Sequence, residues 1–461
     1  MQQLEEKLRA IVGADGVLAR ADVAQRSAGF MRADMLQAGL LVRPRTTEQV
    51  AAVLKLCHEA KQPLVTHGGL TGLVHGGDAR PGDIILSLER MNVIESLDPL
   101  QRVAQVQAGV TLQALQEAAE AADLFFPLDL GARGSCNIGG NVATNAGGNR
   151  VIRYGMTRAL VLGIEAVLAD GSIVSSLNRM IKNNAGYDLK QLFIGSEGTL
   201  GVITRVVVRL FERPKSQDVA LVAVDSFDAL TRFLKHIDAG LGGSLSAFEA
   251  MWQGFYQLVT TPPAKSAPPL PDRHPYYVLV EAQGADAEKD AQRFNAVLES
   301  ALEQGLIADA VIAHSQRERA GIWALRDDVM QISREGPPIT FDVSLPIAAM
   351  EAYLAEVRAA LGAWPAHHCW IWGHLGDGNL HIAVVAPATR EEIERIVYQP
   401  LQKIGGSVSA EHGVGLEKKP YLALCRNPGE LALMRQLKRA LDPHDILNPG
   451  KIFAAEAGAA S

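Results

Sequence analysis

The sequence contains no Gly-x-Gly-x-x-Gly, so a Rossmann dinucleotide site lacks its fingerprint, and no Gly-Lys-Ser/Thr, so a P-loop is excluded. Cys-x-x-Cys is also absent. Cys57, Cys136, Cys369 and Cys425 are widely spaced, which suggests neither a zinc knuckle nor a dithiol redox pair, and they read as reduced thiols. No apolar run approaches the ~20 residues that span a bilayer, so no transmembrane segment is expected. The opening residues Met1 to Arg9 lack the apolar core of a signal peptide and the acid-poor character of a transit peptide, which makes a cytoplasmic protein the expectation. Clustered Lys and Arg are missing, and a net charge of -7 excludes a general nucleic-acid binder.

What is present is an ordinary globular composition, 48% hydrophobic and 21% charged, in 461 residues. A chain of that length exceeds a single core, so two or three domains are expected. No repeat of fixed period occurs. Residues 1–40 read as one or two helices. Strands are expected at Leu41–Pro44, Pro63–Thr66, Ile84–Leu88, Val103–Gln107, Gly163–Ala169 and Val202–Leu210, with helices capped by Thr46 and Thr111. From Ser216 strands and helices alternate. Strands at Val219–Val224, Tyr276–Val280 and Ile339–Val343 each precede a helix. The proline-rich stretch Pro262–Pro275 reads as an exposed, lid-like excursion. A last helix, Glu430–Leu441, leads to an Ala/Gly tail expected to be disordered.

Glycine is concentrated in three places: His67–Gly77, Gly131–Gly148 and Gly195–Gly201. Each reads as a loop, and backbone amides turned inward by glycine form an anion-binding concavity suited to a pyrophosphate. Two such loops, each leaving a strand and joined by a third cluster, look like walls around one extended dinucleotide.

The second informative stretch is Trp370-Ile-Trp-Gly-His-Leu-Gly-Asp-Gly-Asn-Leu-His381. Asp377-Gly378 is a strong signal for a two-residue hairpin loop. Counting outward, Gly376 would face Asn379, Leu375 would face Leu380 and His374 would face His381, with facing Cβ atoms roughly 5 Å apart. Two histidines so placed could ligate one metal. Glu411 could add an oxygen donor and leave a position open, as catalytic sites do. His412 is then left as a candidate base. The pattern equally suits a glycine-rich hairpin with two hydrogen-bonded histidines.

His67–Leu73, Cys136–Gly148, Gly186–Gly201, Gly373–His381, Glu411-His412-Gly413 and Asn448-Pro449-Gly450, in order along nearly the whole chain, resemble the FAD-dependent D-2-hydroxyacid dehydrogenases of the vanillyl-alcohol-oxidase-like flavoproteins. The likeness extends to members acting on D-2-hydroxyglutarate and D-lactate. It implies an α+β fold: a two-subdomain FAD-binding domain over 1–214, a substrate-binding cap domain on an antiparallel sheet over 215–425 that carries the metal site, and a C-terminal helical segment, 426–461, returning to the FAD domain. FAD contacts are implied at Gly68, Gly69, Leu70, Thr71, Gly72, Leu73, Pro127, Gly134, Ser135, Cys136, Gly139, Gly140, Asn145, Gly148, Ile203 and Asn448. Some relatives attach FAD through a histidine where this chain has Leu70, so non-covalent FAD is expected.

By the same resemblance a divalent metal, zinc before manganese, sits on His374, His381 and Glu411 and orients the hydroxyl and carboxylate of a D-2-hydroxy acid. His374 and His412 are expected at the substrate, His412 as the base, with hydride passing from C2 to flavin N5. Arg326 matches the family's substrate-carboxylate arginine, although without the resemblance it would read as a solvated arginine beside Asp327 and Asp328. D-2-hydroxyglutarate is the expected substrate. Met330, Thr340 and Ala383 replace residues that hydroxyglutarate-selective relatives use, which leaves D-lactate, D-malate or an apolar D-2-hydroxy acid as alternatives. The expected acceptor is an electron-transfer flavoprotein, quinone or cytochrome, and a homodimer is compatible. From other classes, a metal hydrolase would leave the glycine loops idle. An inactive flavin-binding subunit of an oxidase complex would be expected to lack the histidines and Glu411.

Overall fold

A computed structural model describes residues 2–30 and 32–454, so the tail expected to be disordered lies outside the described residues. The chain divides into two compact units. The first comprises 1–147, 156–213 and 411–461, the second 148–155 and 214–410. The sequence reading set boundaries at 214/215 and 425/426. The chain in fact re-enters the first unit at Glu411, and a short segment after Gly147 belongs to the second.

In the first unit, β1 (Val17–Ala19), β2 (Leu40–Val42), β3 (Leu64–His67) and β4 (Ile84–Ser87) form a sheet in the order β1-β2-β4-β3. β2 and β3 run parallel to β4, while β1 is antiparallel to β2. β1 falls within the span read as purely helical. Its three residues pair with Leu40–Val42, and Val17 is buried, so tertiary pairing outweighs local propensity. The parallel strands are buried at nearly every position, as strands covered on both faces must be. One cover is the helix Thr47–Glu59, capped by the Thr46 hydroxyl and placing Val50, Val53, Leu54 and Cys57 in the core.

The next strands are β5 (Ile94–Asp98), β6 (Val103–Gln107), β7 (Leu124–Phe125), β8 (Val161–Val167), β9 (Ile173–Ser176), β10 (Val202–Arg209) and β11 (Phe211–Glu212). β5, β6, β10, β8 and β9 form an antiparallel sheet in that order, and β7 pairs with β11.

In the second unit, β12 (Ser216–Val224), β13 (Leu245–Trp252), β14 (Tyr276–Gly284), β15 (Asp309–Ile312), β16 (Ile339–Ser344), β17 (His368–His374) and β18 (Asn379–Val385) make one sheet. Its order is β15-β12-β14-β13-β17-β18-β16, and every pairing is antiparallel. Helices lie on both faces. Phe233 and Tyr398 reach Phe248 and Phe341 on one face, and Phe255 stacks on Trp372 at 4.6 Å on the other. Pro262–Pro275 is largely exposed but is pinned by buried Leu270, whose N–H and carbonyl both bond the Tyr256 hydroxyl.

Two local expectations need correction. The glycine-rich stretch 131–148 is not loop throughout, because Ile138–Thr144 is helical. Glycine disfavours helix, but a Cβ at Gly139 would lie 2.5 Å from that of Ala108, so close packing requires glycine whatever its propensity. The hairpin also differs. Trp372, not His374, is opposite His381, and the loop is Leu375–Gly378 rather than Asp377-Gly378 alone. Leu375 is fully buried within that loop, and Gly378 takes the left-handed conformation at φ 83°.

Candidate active site

The cofactor-side residues were expected on glycine loops, and the first unit brings most of them together. β3 delivers the chain into residues 68–77. A Cβ on Gly69 would lie 1.9 Å from the Ser135 carbonyl oxygen and 2.9 Å from Cys136 Cα, so the first and second loops touch backbone to backbone. A Cβ on Gly68 would stand at ordinary contact distance, 3.6 Å, from Gly140 Cα. Leu70 is held left-handed, φ 54°, with its carbonyl accepting from Phe30 N at 2.9 Å. His67 closes the loop: its Nε2 lies 2.7 Å from the Gly77 carbonyl, and burial pushes its pKa down to about 4, which keeps the ring neutral.

The third glycine cluster is tied to the helix Ile138–Thr144, since Gly195 and Glu197 donate their N–H groups to Val142 and Ala143. Asn145 ends that helix in the left-handed conformation, and its side chain accepts from Arg158 N. Asn448 joins the C-terminal segment to this assembly. Its Oδ1 accepts from Thr66 N at 2.8 Å and its Nδ2 donates to the Glu197 carbonyl at 2.6 Å. Pro127, Cys136 and Ile203 are buried, Gly134 and Ser135 precede Cys136 on the second loop, and Thr71, Gly72 and Leu73 continue the first. Gly148 alone of the expected cofactor residues belongs to the second unit.

These residues fit a cofactor with several hydrogen-bonding groups. Thr66 Oγ1 and Ser196 Oγ are buried without a partner among the described residues. Apart from the adjoining backbone, no described heavy atom lies within 4 Å of where a Cβ would stand on Gly72 or Gly140. Glu411 and His412 open the final return of the chain to this unit, and the Glu411 carboxyl lies against Gly147. Glu197, which the sequence reading had only as part of a glycine cluster, fixes the backbone just beyond them. Its two oxygens accept from Val414 N and Gly415 N at 2.7 and 2.8 Å. Burial pushes its carboxyl above the usual range.

The second unit assembles the remaining residues on one sheet face. Directly opposed residues share a face, as do residues two apart on a strand. Met251, Trp372, His381 and Asp342 stand in one row across β13, β17, β18 and β16, with Glu249 and His374 in the next. The register differs from the expected one by two residues, which keeps both histidines on that face; a slip of one would have separated them. Their rings meet edge to face with centroids 5.3 Å apart, and both are buried.

Arg326 is not a solvated surface arginine. It sits at the end of the helix Gln316–Asp327 and is 6% exposed. Its Nε donates to Glu249 Oε2 at 2.7 Å, and its Nη2 lies 3.2 Å from His374 Nε2. His374 Nδ1 in turn lies 2.6 Å from Glu249 Oε1. Glu249, absent from the sequence reading, therefore links the two residues. Burial would raise its pKa, but the hydrogen bonds from His374 and Arg326 and the guanidinium charge hold it below the usual carboxylate range. The signal was legible as the one acid in Leu-Ser-Ala-Phe-Glu-Ala-Met-Trp252. With Nδ1 donating to Glu249, the lone pair of a neutral His374 ring is on Nε2, the nitrogen a cation would use.

A second buried carboxylate, Glu281 on β14, is bonded by Arg150 (2.9 Å), Gln217 (2.6 Å), Ser246 (2.8 Å) and Trp323 (3.1 Å). It anchors the segment 148–155 within this unit, where Arg153 also donates to the Ser244 carbonyl at 3.2 Å.

Two family models match in order: "FAD binding domain" over 38–176 and "FAD linked oxidases, C-terminal domain" over 213–452. A mitochondrial D-2-hydroxyglutarate dehydrogenase of Bos taurus is 43% identical over 91% of this chain and 77% of its own length. A D-2-hydroxyglutarate dehydrogenase of Xanthomonas citri pv. viticola is 41% identical over 89% and 88%. A putative mitochondrial D-lactate dehydrogenase of Schizosaccharomyces pombe is 36% identical over 98% and 90%. Among solved structures, p-cresol methylhydroxylase superposes with TM-score 0.79 at 18% identity over 98% and 97% of the two chains. 4-Ethylphenol oxidase from Gulosibacter chungangensis does so with TM-score 0.76 at 18% identity over 99% and 97%, and both likenesses concern the fold. Two FAD-oxidase models in sequence order, and relatives above 40% identity along about nine-tenths of the chain, place this protein in the FAD-linked oxidases as an FAD-dependent dehydrogenase of the D-2-hydroxyacid dehydrogenase family.

Proposed function

We propose that the protein oxidises a D-2-hydroxy acid, D-2-hydroxyglutarate first, to the 2-oxo acid, with a divalent cation at His374, His381 and Glu411. The observation that carries this reading is the buried Glu249–Arg326–His374 constellation beside His381, in a chain whose relatives are named for D-2-hydroxyglutarate.

FAD, held non-covalently by the glycine loops, supplies the two-electron acceptor that lets the C2 hydrogen leave with its bonding pair. His374, His381 and Glu411 would hold the cation, zinc or else manganese, which would supply Lewis acidity toward the hydroxy acid. Arg326 binds that carboxylate. Its Nε is committed to Glu249 and its Nη2 also lies against His374 Nε2, which leaves Nη1 and the second N–H of Nη2 as donors. His412 takes the hydroxyl proton as C2 becomes a carbonyl carbon, and Glu197 steadies the backbone that carries it through Val414 and Gly415. General-base help of this type typically contributes about 10²–10⁴-fold. Trp372, buried and stacked on Phe255, excludes water beside His381.

Electrons then pass to an acceptor other than a nicotinamide, such as an electron-transfer flavoprotein or a quinone. Among the described residues no helix is long and apolar enough to cross a membrane. The cattle and yeast relatives are named as mitochondrial and the Xanthomonas one is not, so the names favour no cytoplasmic assignment.

Anaerobic addition of D- and L-2-hydroxy acids tests the reading. D-2-hydroxyglutarate should bleach the flavin and its L-enantiomer should not. Bleaching by D-lactate or an apolar D-2-hydroxy acid alone would move the substrate, and no bleaching by any D-acid would refute the proposal.

A further inference from the structure

We propose that Glu249 is the positioning residue of this site, one carboxylate that sets both the ligating nitrogen of His374 and the presentation of Arg326. The proposal rests on the function given above and goes beyond it by assigning a shared origin to cation binding and carboxylate binding.

Glu249 is the one charged residue of β13 and is 1% exposed at its centre. An unpaired carboxylate there would be strongly destabilising. The two oxygens are divided between two elements. Oε1 accepts from the His374 Nδ1–H on β17, and Oε2 accepts from the Arg326 Nε–H on the helix Gln316–Asp327. A structural ion pair would be complete with the arginine alone. Here each partner turns one nitrogen back to Glu249 and keeps others forward: Nε2 of His374, and the Nη groups of Arg326.

The forward atoms meet, since Arg326 Nη2 lies 3.2 Å from His374 Nε2. That contact requires the Nε2 lone pair to accept, which in a neutral ring requires the proton on Nδ1, which Glu249 holds there. A carboxylate behind a ligating histidine fixes tautomer and ring direction and makes the outer nitrogen more basic, and its loss typically costs about 10–100-fold in metal affinity. The guanidinium is planar, so holding Nε also fixes where the Nη groups point. Glutamine cannot do both tasks. Whichever way its amide is turned, its NH₂ faces either an Arg326 N–H or His374 Nδ1, and in the second case the ring proton is driven to Nε2.

The experiment uses the FAD-loaded full-length protein and Glu249→Gln, with zinc affinity measured by competition against a chelating dye and KM and kcat measured on D-2-hydroxyglutarate. The expected result is roughly 10–100-fold weaker zinc binding and a KM raised by about tenfold or more, with the flavin spectrum unchanged. In a His374→Ala background the added Glu249→Gln should cost no further zinc affinity, because the effect runs through the ring. Wild-type values of both constants in Glu249→Gln would overturn the proposal. So would an equal zinc loss with and without His374, which would mark a structural role. If Glu249→Gln fails to fold, Glu249→Asp carries the test: it keeps the charge one methylene short, and both constants should worsen by a smaller factor, with unchanged constants again overturning the idea. A wild-type protein that takes up no cation refutes the cation reading and, with it, the His374 half of this proposal; an unchanged KM would then remove the Arg326 half.

Discussion

A methyl group at either of two glycines separates the scaffold of the cofactor site from its contents. At Gly69 an added Cβ would stand 1.9 Å from the Ser135 carbonyl oxygen, and 2.8 Å from its carbon. Non-bonded carbon contacts settle near 3.5 Å, so the two loops must part by about 1.5 Å. The obstacle is backbone, which cannot rotate away. Overpacking of this kind typically costs about 1–3 kcal/mol, and the parted loops are those that line the flavin, so FAD affinity should fall by roughly 5- to 150-fold. At Gly140 nothing described but the adjoining backbone lies within 4 Å of the same position. Alanine there should leave the apoprotein as stable or, on a helical residue, slightly more so, by about 0.5–1 kcal/mol. The open space at Gly140 is where the cofactor is proposed to lie, so FAD binding should nonetheless weaken. The assay is a pair of measurements on each variant: apoprotein melting temperature and FAD titration by flavin fluorescence quenching. Gly69→Ala should lose on both and Gly140→Ala on the second alone. Wild-type FAD affinity in Gly140→Ala would show that the space is not the cofactor's. Wild-type behaviour of Gly69→Ala in both assays would refute the packing argument.

The neutral, buried His67 ring has its pKa depressed to about 4. Its contribution is therefore complete above about pH 6.5 and is lost as pH falls toward 4, worth about 3 kcal/mol by linkage; guanidinium melts of apoprotein should show His67→Gln losing less stability than wild type across that window. Asn448→Ala removes both side-chain bonds that tie the C-terminal segment to Thr66 and Glu197, so FAD retention on a desalting column should drop sharply while Asn448→Asp, keeping one acceptor, retains more. A Cβ on Gly373 would lie 2.4 Å from the Asn379 carbonyl; Gly373→Ala should part β17 from β18, and bound zinc by elemental analysis should fall although no proposed ligand is altered.

The hairpin marks how far sequence reading reaches. Its composition identified the turn and both histidines, yet the pairing came out two residues from the expected one, with buried Leu375 in a four-residue loop, Leu375–Gly378. Strand periodicity absorbs an even error, so the shared face of His374 and His381 survived. An odd one would have cost it. The glycine-rich stretch 131–148 went the other way. Helix propensity is a local quantity, and the closeness of Gly139 to Ala108 that makes glycine necessary within the helix comes from a strand end thirty residues earlier. Arg326 looked solvated because its sequence neighbours are acidic, whereas the acid that holds it is on β13.

Glu249 and Glu281 show what separates an anchoring carboxylate from one with work at its front. Both are single acids in apolar strands, both are buried, and each takes an arginine from outside the sheet. Either could have been noticed in the sequence, since a lone acid in a buried strand is costly without a reason. The difference lies in the partners. Glu281 is surrounded by Arg150, Gln217, Ser246 and Trp323, of which Gln217 and Ser246 lie on the sheet's own strands, and together they pin residues 148–155. Among the described residues Glu249 is held by two groups, and those are the two side chains best suited to carry a cation and a carboxylate. Replacing Glu281 by glutamine should therefore lower the melting temperature while leaving zinc affinity near wild type, whereas at Glu249 zinc affinity is expected to fall. Equal effects at the two positions would mean that burial alone, and not the chemistry of the partners, decides what these acids do.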